Sequence, residues 1–181
     1  MGYTVELYAI SLDRLNAELR APTLDPAAID AQADIDDEVL QNWSALAGTV
    51  ADAIGGAGGE LVWPLSGYLL RVVQQLGSWY GSFWHTSSGG EEFRSHLLAG
   101  SVSAVFGPEV ALHLVNRDLL NLSWSDYPMF GWLSNAELRA VSGVTELPPG
   151  VDEDDHDVVW TLVDAFDRAA STGQDLISIY G

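Results

Sequence analysis

The sequence predicts an α+β fold: a helix-rich single domain, residues 1–181, with a small sheet pairing its N- and C-terminal strands. Three observations predict it. Tyr3 to Ile10 alternates in strand fashion, with Val5, Leu7 and Ala9 on one face and Thr4, Glu6, Tyr8 and Ile10 on the other. Leu176 to Tyr180 is apolar and β-branched, which suits a second strand at the far end. Between them, apolar residues recur every three or four positions, the period of a helix with one buried stripe. The expected arrangement places the helices on one face of the sheet.

Each element follows from local chemistry. Ser11 can cap a short helix carrying Leu12, Leu15 and Leu19 on one side. Pro22 and Pro26 break the chain, and Asp25 to Asp37 is acidic and rich in small residues, as an exposed loop or a frayed helical entry would be. Ile35, Val39, Trp43, Leu46, Val50 and Ile54 form the clearest helical stripe. The glycine-rich run Gly55 to Gly59 stops it and reads as a flexible linker. That run lacks the Lys-Ser/Thr of a phosphate loop.

Leu65 to Leu76 is a second helix, and an aromatic segment interrupted by glycine follows, Gly77 to His85, read as an irregular loop. Ser88 to Glu91 has capping-box spacing and should open a helix carrying Phe93 and Leu97. Pro108 suits the first turn of another helix. Ser134 to Glu137 is a second capping box, opening a helix through about Val141. Pro148-Pro149-Gly150 is a hard break. The carboxylates of Asp152 to Asp157 then favour the positive end of a helix holding Val159, Leu162, Val163 and Phe166, which ends near Gly173.

Charge narrows the function. The chain has no lysine, seven arginines and 26 carboxylates, for a formal net charge of -19 and a pI near 4.1. Like-charge repulsion argues against nucleic acid or an anionic membrane as a partner. An apolar fraction of 48% is ordinary for a globular protein, so the acidity does not signal disorder. Arginine without lysine, together with seven Trp and many Leu and Val, fits a high-GC genome better than adaptation to high salt. The absence of cysteine excludes disulfides, thiolate metal sites and a cysteine nucleophile. The start, MGYTVELYAI, has neither a basic segment nor a signal-length apolar run, and no stretch reaches the ~20 apolar residues of a membrane helix. A cytoplasmic protein is expected.

The N-terminal pattern Tyr3-x-Val5-x-Leu7-Tyr8-Ala9-Ile10, followed by Leu12-Asp13-x-Leu15, resembles an uncharacterised actinobacterial small-domain family. Phe166-Asp167-x-Ala169-Ala170-x-x-Gly173 and Leu176-Ile177-Ser178-Ile179 are similar to the closing helix and strand of the YfbM-like family of unknown function. Gly131-Trp132-Leu133-Ser134-x-x-Glu137 resembles a segment leading into a capped helix there. The resemblance covers about the first 20 and last 50 residues. It implies a small α+β fold in a bacterial cytoplasm and transfers no catalytic residues.

Candidate sites are few. His85, His96, His113 and His156 show no HExxH spacing, and the Asp152 to Asp155 run lacks the order of a calcium loop, so neither a metal site nor a cofactor is expected. No G-x-S-x-G elbow occurs. The best ligand-binding candidate is the aromatic set Trp79, Tyr80, Trp84 and His85, with Glu91 and Glu92 as acid-base groups. A second set, Trp124, Tyr127 and Trp132 around Pro128, could pack against it as core or as the other wall of a cleft.

Two functions follow from different classes. The first is a protein-interaction module whose acidic surface, Asp34, Asp36, Asp37 and Asp152, Glu153, Asp154, Asp155 and Asp157, neutralises a basic partner. Bacterial immunity proteins against nuclease toxins work this way. The alternative is a small-molecule binding protein or enzyme using an aromatic cleft around Tyr80 to His85. A domain whose acidity merely keeps it soluble is the default against which both stand.

Overall fold

The computed structural model describes residues 3–26, 29, 37–56, 58–85, 93–125 and 127–181. The predicted N-terminal strand forms as β1, Tyr3–Ile10, and the C-terminal one as β6, Asp175–Tyr180. They pair antiparallel from Val5↔Tyr180 to Ile10↔Asp175. Two further strands flank them: β3, Ser78–His85, beside β1, and β5, Met129–Leu133, beside β6. The sheet order is therefore β3-β1-β6-β5, antiparallel throughout. A separate two-residue parallel pair joins β2, Gly59–Glu60, to β4, Leu122–Ser123.

Helices cover both faces of this sheet, not one. β6 shows the reason: Leu176, Ser178 and Tyr180 on one face and Ile177 and Ile179 on the other are all buried. A strand apolar on both sides cannot leave either side in water. One face carries α4, Leu65–Leu76, with α1, Leu12–Arg20, and α3, Trp43–Gly55, beyond it. The other carries the long C-terminal helix and a helical segment that runs from Phe93 to His113.

The helices begin and end for identifiable reasons. Ser11 caps α1 by accepting from Arg14 N. The single helix expected over Ile35 to Ile54 is two, α2, Asp37–Gln41, and α3, broken at Asn42. Asn42 Nδ2 donates to Glu38 O, a local side-chain bond that competes with helix continuation. Val39, Trp43, Leu46, Val50 and Ile54 all lie in the core as the stripe requires, while Ile35 lies outside the described residues. Gly55 closes α3, Gly58 N donates to Ala53 O, and Gly59 enters β2. Gly58 has φ +85°, and a side chain there would meet the carbonyl of Asn121.

The Ser88 to Glu91 capping box lies outside the described residues. The following segment is a π-helix, Phe93–Val102, that tightens into α5, Ser103–Phe106. Pro108 opens α6, Pro108–His113, and Ser134 opens α7, Asn135–Val141, with both capping-box bonds made. A 3₁₀ turn, Glu153–Asp155, leads into α8, His156–Thr172, which ends on left-handed Gly173.

Two tight joints position these layers. Asp175 at the start of β6 accepts from Leu12 N at 2.9 Å and Asn135 N at 2.8 Å, so one carboxylate satisfies the first turns of both α1 and α7. Asn135 Nδ2 in turn donates to Ala169 O and Gln174 O at the end of α8. On the sheet, Gly131 lies directly beneath the backbone of His113 and Leu114, and Ser178 Oγ donates to Leu114 O.

Gly131→Ala would force a Cβ into that backbone and is expected to cost about 1–3 kcal/mol or more. Gly48→Ala, on the exposed side of α3 with open space around it, is expected to add about 0.5–1 kcal/mol. Denaturant titrations of both variants check the pair.

Candidate functional site

The acidic segment before α8 divides into structural and free carboxylates. Asp152 accepts from Asp154 N, and Asp155 accepts from Ser101 Oγ, whose oxygen also receives Asp152 N. Those two acids build the turn. Glu153, Asp154 and Asp157 are exposed, and no cation pairs with them among the described residues. Asp34 and Asp36 lie outside the described residues, and Asp37 is the first residue of α2.

The aromatic segment Ser78 to His85 is not an irregular loop but the edge strand β3. Phe83, opposite Val5, is buried, whereas Trp84, opposite Thr4, is exposed; this alternation is the strand signal the glycine obscured. The register shifts between Leu7 and Tyr8, so Tyr80 is the extra residue of a bulge. The bulge turns Tyr80 towards α8, where the Arg168 guanidinium lies 4.1 Å from its ring centre. Trp79 and Trp84 share the opposite face with Glu6 and Ser82. His85 closes the strand opposite Tyr3, and Glu91 and Glu92 lie outside the described residues.

The second aromatic set does not form a cleft with the first. It surrounds β5, at the opposite edge of the sheet from β3. Two strands stand between the edges, so the sets are about 14 Å apart across the sheet. Trp124 is buried and meets Phe130 edge-on at 5.1 Å; it is core and not a wall. Tyr127 tilts against Tyr180 at 5.3 Å. Trp132 is covered on one ring face by the Arg117 guanidinium, 3.6 Å from its centre, and its Nε1 donates to Asp118 O.

Around Trp132 lies an ionic cluster that sequence reasoning missed. Glu137 accepts from Ser134 N at 2.8 Å, from Ser134 Oγ at 2.6 Å and from Arg117 Nη1 at 3.0 Å, and His113 Nδ1 stands 3.5 Å away. Only the Ser134–Glu137 spacing was visible in the sequence. His113 ends α6 and Arg117 lies in the connection after it, and no local pattern ties either to α7. Burial pushes the Glu137 carboxyl up, but the Ser134 and Arg117 hydrogen bonds outweigh it and hold the pKa down at about 2. A pocket of about 420 Å³ opens beside it, walled by Phe106, Pro108, Val110 and Ala140.

This cluster is built to hold a charge, not to move a proton. Glu137 stays ionised at neutral pH and its oxygens are already occupied, which leaves a poor general base. Ser134 Oγ donates to Glu137, not to a histidine, so the hydroxyl is not activated for attack. Among the described residues no group of three His, Asp or Glu side chains could hold a metal ion, and no helix is long and apolar enough to cross a membrane.

Because its folded pKa lies below its unfolded value of 4.5, Glu137 contributes stability that is present above about pH 4.5 and lost as pH falls towards 2. Partial exposure screens the effect, so Glu137→Gln is expected to cost on the order of 1–2 kcal/mol at pH 7. The loss should shrink towards zero by pH 2, which thermal melts of both proteins across that range would reveal.

Comparison with known proteins gives no match: no protein-family model, no curated protein and no solved structure matches this chain.

Proposed function

We propose that this chain is a protein-interaction module that presents an acidic surface to a basic partner. The observation that carries the reading is the exposed set Glu153, Asp154 and Asp157 at the head of α8, without an ion pair among the described residues, on a chain of net charge -19. Seven arginines cannot neutralise 26 carboxylates, and Arg117 and Arg168 already face Glu137 and Asp164. A field of one sign accelerates encounter with the opposite sign and repels nucleic acid. A basic toxin held inactive in a bacterial cytoplasm is the specific form of partner that fits this chemistry. The resemblance of the chain ends to actinobacterial and YfbM-like sequences belongs to the same proposal.

The test compares two variants of equal charge. Glu153→Gln with Asp154→Asn and Asp157→Asn removes the free acids of the patch. Asp13→Asn with Asp52→Asn and Glu109→Gln removes three exposed acids elsewhere. Capture of a basic partner from the source organism at low salt should fall about tenfold with the first variant and little with the second. Equal losses in both would reduce the effect to net charge, and no salt-released basic partner for the parent protein would refute the reading.

A further inference from the structure

We propose that the outer edge of β3 is the docking strand for an extended, basic segment of the partner. The segment pairs along Gly81–His85 and lays a guanidinium or ammonium group on Trp84 beside Glu6. This rests on the interaction reading above and names the surface and the partner's local chemistry.

β3 has β1 on one side and no strand on the other among the described residues. An edge strand turns every second N–H and C=O outward, and proteins usually blunt such edges with charged residues or proline. Ser78 to His85 contains no lysine, arginine, carboxylate or proline. The one irregularity is the bulge at Tyr80, beyond which Gly81 to His85 keeps continuous register with Leu7 to Tyr3.

The side chains beside that edge suit a cation. Trp84 is 61% exposed and Trp79 is 58% exposed, although tryptophan is usually well buried. Glu6 stands diagonally across from Trp84 on the same face, a separation of roughly 7–8 Å that a long side chain spans. Glu6 uses Oε2 towards Tyr8 OH and Gln74 Nε2, while Oε1 receives no hydrogen bond among the described residues. Indole is the best cation-binding ring, and a carboxylate beside it adds direct Coulomb attraction.

One acid of the patch, Asp157, lies close to the same edge. Thr161 of α8 packs at Gly81, and Asp157 lies one helical turn before it, with Thr161 Oγ1 donating to Asp157 O. Arg168, further along α8, reaches Tyr80, so the acidic end of the helix is the one at Gly81. Trp160, 41% exposed, sits on that same end. Charge decides between occupants. A second copy would bring another -19 to the edge and is repelled, whereas a basic segment is attracted.

The probe is a capped octapeptide of four Arg-Val repeats, added to the whole chain and followed by amide hydrogen exchange and tryptophan fluorescence. Slowed exchange in Gly81 to His85 is expected, with affinity about tenfold weaker for Trp84→Ala and for Glu6→Gln. A peptide methylated on alternate backbone nitrogens should lose the protection, and this control alters no residue of the protein. A Glu-Val peptide should not bind. Binding that protects no β3 amide and ignores Trp84→Ala overturns the docking strand, and if it still weakens when Glu153, Asp154 and Asp157 are neutralised, the acidic-surface reading survives. Self-association through β3, lost in Ser82→Lys, would overturn the choice of partner. No binding of the basic peptide, with a basic partner still captured, also refutes the strand alone.

Discussion

The pairing of β1 with β6 is the constraint on which the rest depends. It places the two strands side by side at the centre of a sheet that carries helices on both faces. Antiparallel pairing fixes the faces, because a slip of one residue would turn every side chain over. Leu7 and Ser178 then face the layer containing α6 and α8, and Ile177 faces the layer containing α4. Asp175 ties this centre to the first turns of α1 and α7, so the strand pair also sets where two helices start. Contacts this far apart in sequence make loop closure costly, and the reward comes only once the whole sheet is covered.

Carboxylates in this protein have two distinct fates. Glu18, Glu137, Asp155 and Asp175 are consumed by backbone and hydroxyl donors, and each locks a turn or a helix start. At Glu18, burial opposes ionisation, yet bonds from Thr23 and Leu24 keep its pKa below the ordinary value. Among the described residues, the exposed carboxylates of Glu153, Asp154 and Asp157 accept no such bond. Their mutual repulsion disfavours compactness. The proposed interaction reading assigns such a surface to what it meets, not to what it stabilises.

Patterns within one element were legible in the sequence; relations between elements were not. The alternation of Tyr3 to Ile10, the stripe from Val39 to Ile54 and the Ser134 capping box each reflect local rules, and each appears where it was expected. β3 was hidden because Gly81 and the bulge at Tyr80 interrupt its alternation. β5 was hidden because Met129 to Leu133 is short and has Gly131, which exists for a close approach to Leu114 that no neighbour in sequence reveals. Trp124 and Trp132 looked like ligand walls because aromatic composition is the same in a core and in a pocket. Only the topology, which sets β3 and β5 at opposite edges, separates them. The Arg117–Glu137 pair spans twenty positions and has no signature of its own.

The most direct measurement of the proposed reading is the association rate of this protein with a basic partner captured as described above, as ionic strength is raised. If the acidic surface steers docking, the rate constant falls steeply between low and physiological salt while dissociation changes little. A rate constant that stays flat across that range would contradict an electrostatic role and leave the acidity as a device for solubility.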